Sequence, residues 1–280
     1  MGYGDELMAA GKARSVYDHH GGMKRVVILD KTGSPRKHDL WNYCSYIEQS
    51  PSGDKSNYCY VINSAGARPY VDYDAMKRDF LKIFPDREFT TKVKDPRLPW
   101  RFNMQHRALP ADLDRMSKSE YHGAIVVEPH VKSNAPNKQW GWDRWQELVS
   151  SHRDLPWVQM GPVGTKVLND VEFYETKSFE NALFFLSGAA SAVLPEGGLH
   201  HGSAALSLRV VVIYGGFTSP IITGYRDHIN IAWNSQHPCG QRVPGCEHCK
   251  RAMGAITPRE VFDCLETLLD ENQRRRGYPS

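Results

Sequence analysis

Few features of this sequence suggest a protein built for an oxidising compartment or a membrane. Only six cysteines occur in 280 residues, most of them late in the chain, which does not resemble a secreted disulfide framework. No apolar run approaches the ~20 residues that are needed to span a bilayer. The N-terminus lacks the basic and then apolar pattern of a signal peptide. We therefore predict a cytoplasmic protein with reduced thiols.

A strong charge of either sign is also missing. The formal net charge is +3 at pH 7, too small to argue for a nucleic-acid-binding protein. Hydrophobic residues make up 40% and charged residues 24% of the chain, which is ordinary for a globular protein. A length of 280 residues suits two modest domains or one large one. The composition therefore indicates an ordinary globular protein, and only sequence motifs can indicate its function.

A glycine-rich turn between two apolar runs is the first candidate for a ligand site. The run 189–194 leads into Pro195-Glu196-Gly197-Gly198-Leu199-His200-His201-Gly202, and a second apolar run spans 210–214. The small residues between them favour a helix, so the segment predicts a βαβ unit. The first N–H groups of such a helix have no internal partner, and glycine lets phosphate oxygens approach them. The turn therefore predicts a phosphate site, with a purely structural tight turn as the alternative.

Strands and helices alternate throughout the second half of the chain. Besides the two runs above, apolar segments predict strands at 124–127, 157–160, 171–174 and 229–233, and the last helix runs from 258 to about 272. This alternation is typical of a parallel, doubly wound sheet. Glu196 would then lie at the carboxyl end of a strand, where open α/β sheets bind their ligands.

The first half is less regular. Gly2-Tyr3-Gly4-Asp5 precedes a predicted helix to about Tyr17, which Asp5 can cap. Further apolar patterns predict strands at 25–29 and 58–62 and a helix at 74–84. No strand precedes the glycine loop, so either this domain lacks its first strand or the true start lies upstream. The polar segment 110–120 predicts a boundary between domains 1–115 and 116–280.

Three segments, in this order, resemble the heptosyltransferases of lipopolysaccharide synthesis, family 9 of the GT-B glycosyltransferases. Gly2-Tyr3-Gly4-Asp5 resembles the family's N-terminal glycine loop, and Lys138-Gln139-Trp140 resembles its Lys-x-Trp segment. Glu196-Gly197-Gly198-Leu199-His200-His201 resembles its Asp-x-Gly-x-x-His donor loop, with glutamate in place of the usual aspartate. The resemblance implies an α/β protein of GT-B fold, in which two Rossmann-like domains with parallel sheets face a cleft and the N-terminal domain is short.

The same resemblance implies an inverting, metal-independent transfer of a heptose or hexose. The donor would be an ADP- or other nucleotide-diphosphate sugar, and the acceptor a hydroxyl of a glycan, a protein or another molecule. Such a transfer needs a base, positive charge on the departing diphosphate and a cleft that excludes water. By resemblance, Asp5 is the base, Lys138 neutralises the diphosphate and Glu196 accepts from a ribose or sugar hydroxyl. The remaining donor-binding residues of the loop are Gly197, Gly198, Leu199, His200 and His201.

Each of these residues also has a structural interpretation. Asp5 could only cap its helix, Lys138 could be a solvated lysine before a helix, and the two histidines could be satisfied core residues. For the whole protein, the alternatives are a sugar-nucleotide 2-epimerase of similar fold and a non-catalytic nucleotide-sugar-binding subunit. Turnover of a donor to a measured product separates the enzyme from the binding subunit.

A cysteine cluster lies outside the three segments. Cys246-x-x-Cys249 has the spacing of metal ligands, and Cys239 can supply a third thiolate. Cys264 falls on the apolar side of the last predicted helix, so we expect it to be buried. Some autotransporter-modifying relatives in the family carry a cysteine-held iron. The cluster therefore predicts a structural zinc or iron site, with reduced, loop-packed thiols as the alternative, and no cofactor is expected for the chemistry.

Overall fold

The computed structural model contains two parallel sheets of unequal size. It describes residues 2–63, 68–91, 95–132, 135–233, 237–241 and 243–275. In the first half, helix α1 (Tyr3–His19) is followed by strands β1 (Val26–Leu29) and β2 (Cys59–Ile62) and by helix α2 (Tyr73–Ile83). Strands β1 and β2 pair in parallel as a two-stranded sheet.

The second half builds one six-stranded sheet. Its strand order is β5-β4-β3-β6-β7-β8, and all neighbours run parallel. The order reverses between β3 and β6, which makes that junction the topological switch point of a doubly wound sheet. The predicted parallel α/β fold of this half is confirmed. The strands are β3 (Ile125–Val127), β4 (Trp157–Gly161), β5 (Glu172–Glu175), β6 (Ser191–Pro195), β7 (Val211–Tyr214) and β8 (Ile229–Ala232).

Helices cover both faces of this sheet because each presents an apolar side to it. On one face, Leu148 and Leu265 pack against strand residues such as Val127 in a single buried cluster. On the other face, Phe185 packs against Val126 in a second cluster. No helix within the described ranges is long and apolar enough to cross a membrane. The helices are α3 (Trp142–Ser150), α4 (Phe179–Leu186), α5 (Gly198–Ala205), α6 (Pro220–Thr223), α7 (Glu247–Ala255) and α8 (Pro258–Arg275).

Several element ends differ from the predicted ones by a few residues. Helix α1 continues to His19, and β5 begins at Glu172 and ends at Glu175. The strand ends follow hydrogen bonding to a neighbour, as in the pairing of Val158 with Glu172, and not the apolar run alone. Cys264, which we expected to be buried, is only half-buried on α8, where it packs against the core.

Helix α1 ties the two halves together. Its residues Leu7 and Ala10 share a buried cluster with Leu183 of α4 and Ala205 of α5. The predicted division into domains 1–115 and 116–280 stays a prediction, since this cluster spans it. The packing nevertheless brings the start of α1 to the carboxyl end of the six-stranded sheet.

Candidate active site

A cavity of about 710 Å³ opens at the carboxyl end of the six-stranded sheet. It lies at the switch point, because Glu128 follows β3, Glu196 follows β6, and both line it. Open α/β sheets bind ligands at this place, and the volume is in the range of small-molecule sites. The opposite wall comes from the first half of the chain and includes Gly2, Tyr3, Gly4, Asp5, Arg68 and Tyr70.

All but one of the candidate catalytic and donor-binding residues line this cavity. The exception is His200, which is fully buried behind the loop. Its Nδ1 accepts a hydrogen bond from the Gly197 N–H at 2.9 Å, and its Nε2 donates to the carbonyl oxygen of Thr223 at 3.0 Å. His200 therefore caps the start of α5 and anchors it to α6. The candidates that do line the cavity are Asp5, Lys138, Glu196, Gly197, Gly198, Leu199 and His201.

His201 lies where α1 and α5 meet. Its Nδ1 is 2.7 Å from the hydroxyl oxygen of Tyr225, and burial, followed by the charge of His200, lowers the pKa of His201 well below its usual range. The ring is therefore neutral at pH 7. A Cβ atom on Gly4 would lie only 2.6 Å from the His201 ring, so only glycine permits α1 to begin this close to α5. The first residues of both helices consequently face the same cavity.

Buried histidines in this region make stability depend on pH. Burial lowers the pKa of His228 to about 3, whereas an unfolded histidine titrates near 6.5. The unfolded state therefore binds more protons below pH 6.5, and the free energy of unfolding decreases as the pH falls. For His228 alone we expect a loss of roughly 2 kcal/mol between pH 7.5 and pH 5. Urea unfolding at both pH values measures it, with a smaller loss expected in His228→Gln. Equal losses in the two proteins would contradict this assignment.

Lys138 and Glu196 form an ion pair at the floor of the cavity. Lys138 ends a 3₁₀ turn (Pro136–Lys138), and its Nζ contacts Oε2 of Glu196; the two side chains are 20% and 8% exposed. The ammonium group also lies 5.3 Å from the centre of the Phe217 ring. A phosphate that contacts Lys138 would therefore lie beside a carboxylate that already balances part of the charge.

The Asp5 carboxylate has two hydrogen-bond donors and one ion-pair partner. Its Oδ2 accepts from the Gly2 N–H at 3.2 Å and lies 3.6 Å from Nε of Arg68. Its Oδ1 accepts from the Tyr70 hydroxyl at 3.4 Å. The residue is 6% exposed but lines the cavity, so its carboxylate both caps α1 and faces the space where a substrate would lie.

Several charged or polar residues of the cavity were not predicted from the sequence, among them two in the first half of the chain and two in the loop after β3. Arg68 and Tyr70 belong to an irregular segment that carries no motif. Lys132 lies in the loop after β3, and the Cβ position of Gly2 is 3.9 Å from its Nζ and 3.8 Å from Oδ2 of Asp5. Burial raises the pKa of Glu128, which accepts from the His130 N–H at 3.2 Å. The only signal for Lys132 and Glu128 was their position between a predicted strand and the Lys-x-Trp segment.

The three late cysteines meet beside the cavity. The Sγ of Cys239 is 3.2 Å from that of Cys249 and 3.8 Å from that of Cys246, so the three sulfurs could hold one metal ion. The hydrogen bond with the Cys249 thiol lowers the pKa of Cys239 below its usual range. Cys239 also accepts from the Gln241 N–H at 3.4 Å, and the Gln241 carbonyl accepts from Nδ2 of Asn137 at 2.6 Å. The cysteine loop therefore supports the segment that carries Lys138.

Comparison with solved structures identifies the fold. The E. coli heptosyltransferase WaaC, solved with ADP, superposes with a TM-score of 0.53 at 14% identity, covering 96% of this chain and 97% of that chain. The E. coli ADP-heptose LPS heptosyltransferase II gives a TM-score of 0.54 at 14% identity, covering 97% of each chain. A glycosyltransferase of family 9 from Veillonella parvula gives 0.52 at 11% identity, covering 97% of this chain and 95% of that chain.

Sequence comparison adds nothing to this result. No protein-family model matches the chain, and no curated protein is similar to it at a significant level. Identities this low establish the architecture and leave substrates and residue roles to be argued from the site. The chain thus has the α/β fold, with parallel sheets, of solved heptosyltransferases and of a family 9 glycosyltransferase.

Proposed function

We propose that the protein is an inverting glycosyltransferase that moves a heptose or hexose from a nucleotide-diphosphate donor to an acceptor hydroxyl. The observation that carries the proposal is the shared cavity, in which Asp5 from the first half faces Lys138 and the start of α5 from the second. The solved heptosyltransferase with ADP supports an ADP-type donor, because its fold covers nearly the whole of both chains. We further propose that the chain forms two Rossmann-like domains of GT-B type, a short one at 1–115 on the acceptor side and one at 116–280 on the donor side.

The reaction follows from these positions. Asp5 accepts the proton of the acceptor hydroxyl, whose oxygen attacks the anomeric carbon from the face opposite the diphosphate. The bond between that carbon and the phosphate oxygen breaks, and the diphosphate leaves with the bonding electron pair. One displacement inverts the anomeric configuration. A positioned base of this kind contributes about 10²–10⁴-fold to the rate.

The donor side supplies the charge for the leaving group. Lys138 contacts the diphosphate, and the backbone amides of Gly198 and Leu199 in the first turn of α5 donate to its oxygens, since the Gly197 N–H already donates to His200. Glu196, which forms an ion pair with Lys138, accepts a hydrogen bond from a ribose or sugar hydroxyl. Lys132 adds a second positive charge from the loop after β3, close to the glycine loop of the first half. His201, neutral by its lowered pKa, offers a hydrogen bond without adding charge.

The donor class can be tested with nucleotides alone and then with sugars. ADP, UDP, GDP and the matching nucleosides are compared by thermal shift, and a ligand present at 100 times its Kd should add about 2.7 kcal/mol of stability. We expect a diphosphate to bind and its nucleoside to bind more weakly. Sugar transfer or donor turnover to a measured product then separates the enzyme from a non-catalytic binding subunit. The proposal is wrong if none of the diphosphates binds.

We also propose that Cys239, Cys246 and Cys249 hold a structural zinc or iron ion and that the chemistry needs no cofactor. Protein purified without chelator should contain about one metal ion per chain. Cys246→Ser should lose the metal and melt at a lower temperature, because metal binding at such a site adds to folding stability. Cys264→Ser, outside the cluster, is the matched control and should keep the metal. A Cys246→Ser protein that stays folded and binds nucleotide but loses all turnover would contradict the structural role.

A further inference from the structure

We propose that Tyr70 and Arg68 are positioning residues that fix the orientation of the Asp5 carboxylate. The inference rests on the proposed function, in which Asp5 is the base. A helix cap needs only one carboxylate oxygen, and the Gly2 N–H already uses Oδ2 of Asp5. The Tyr70 hydroxyl instead donates to the other oxygen, Oδ1, at 3.4 Å. The two contacts together prevent rotation of the carboxylate about its Cβ–Cγ bond.

Tyr70 is suited to act as a permanent donor. Burial, followed by the charges of Asp5 and Glu196, raises the pKa of Tyr70 well above its usual range. The hydroxyl therefore keeps its proton at every pH at which the enzyme would work. Its ring is fixed by aromatic neighbours, with ring centres 6.4 Å from both Phe102 and Trp100. Tyr70 lines the same cavity as Glu196 and the rest of the 196–201 loop, as well as contacting Asp5.

Arg68 supplies the matching charge and is held from the second half of the chain. Its Nε is 3.6 Å from Oδ2 of Asp5, and its guanidinium group lies 4.7 Å from the centre of the Trp100 ring. The Trp100 N–H in turn donates to the carbonyl oxygen of Gly240 at 2.9 Å, next to Cys239. The guanidinium balances the charge of a carboxylate that is almost fully buried, and its direction is set by the aromatic ring beneath it.

This arrangement separates positioning from capping. The two lone pairs of a capping oxygen can be satisfied at the helix end, whereas a base must direct one lone pair at a fixed point in the cavity. Tyr70 and Arg68 both line the cavity, and both come from a segment outside α1. They act on the acceptor hydroxyl only through Asp5, so their removal should slow the chemical step and leave donor binding unchanged.

The test is a double-mutant cycle. Tyr70→Phe keeps the ring and removes one hydrogen bond to a charged group, for which we expect kcat to fall about 10-fold with an unchanged Kd for the nucleotide. In an Asp5→Asn background, Tyr70→Phe should cause no further loss, because the group it orients is already gone. Arg68→Gln should lower kcat in the same way, and Arg68→Lys should restore part of it. Tyr60→Phe, at an exposed tyrosine of β2, is the control and should match the wild type.

The outcomes distinguish this inference from the proposed function. Near-full turnover in Asp5→Asn would show that Asp5 is not the base and would refute the proposed mechanism. An inactive Asp5→Asn together with a fully active Tyr70→Phe would refute only the positioning role. A Tyr70→Phe protein that melts earlier or loses nucleotide affinity, with kcat unchanged, would make Tyr70 a structural residue and would also overturn the inference.

Discussion

Asp5→Asn should fold, bind nucleotide normally and lose about 10²-fold or more in kcat. Asp5 is the third residue of α1 and accepts from the N–H of Gly2, the N-cap residue; the amide oxygen of asparagine can accept the same hydrogen bond. The amide cannot accept the acceptor's proton, however, and the base is lost. Three measurements on the same protein separate the two roles: the melting temperature, the nucleotide Kd and the steady-state turnover.

Asp5→Asn is also expected to lose a little stability, because Asp5 has a charged neighbour. Removing the charge leaves Arg68, 3.6 Å away, without this anionic contact, so a small decrease in the free energy of unfolding is expected, about 1–2 kcal/mol. Asp18→Asn provides the comparison on the same helix, because Asp18 pairs with Arg14 at an exposed site near the other end of α1. That variant should keep full turnover. If Asp5→Asn also keeps it, Asp5 only caps α1, and the base lies elsewhere in the cavity.

The second half of the fold could be predicted because its signals are local. The apolar run 189–194, the glycine turn and the apolar run 210–214 lie within one short stretch, so the pattern of each element can be recognised without knowing its partners in space. The same locality applies to the cysteines, because Cys246 and Cys249 are one helical turn apart. Because ligands of open α/β sheets bind at the carboxyl ends of the strands, the sequence also predicted that Glu196 would lie at that end, where it lines the cavity.

The rest of the site depends on tertiary contacts that leave no periodic signal. Arg68 and Tyr70 lie in an irregular segment, and only the packing of α1 against α5 brings Asp5 within reach of them. The ion pair of Lys138 with Glu196 joins two loops on adjacent central strands. His200 belongs to the predicted donor loop but does not line the cavity, because its ring is buried and accepts a hydrogen bond at the start of α5, as the structural alternative predicted.

The ion pair changes how the lysine must be tested. Lys138→Ala removes a charge-assisted contact to the diphosphate, which should weaken nucleotide binding by about 1.5–3 kcal/mol, or roughly 10- to 150-fold. It also leaves the buried carboxylate of Glu196 without its partner, which lowers the free energy of unfolding. A weakened Kd in this single variant could therefore arise from a distorted loop. The single variant Glu196→Gln and the double variant Lys138→Ala with Glu196→Gln separate the loss of the phosphate contact from the distortion of the loop.

Lys138→Ala combined with Glu196→Gln leaves no buried charge unpaired, so its stability should recover towards that of the wild type. If Lys138 binds the diphosphate, the affinity of the double variant for ADP should stay weak, while adenosine, which carries no phosphate, should bind Lys138→Ala as it binds the wild type. Lys55→Ala, at an exposed lysine of another 3₁₀ turn, is the matched control and should bind ADP as the wild type does. Calorimetric titration of the set gives each Kd directly. Unchanged ADP affinity in both Lys138 variants would contradict the assignment of the donor site, because a phosphate at the start of α5 would then be held by the helix amides without the lysine.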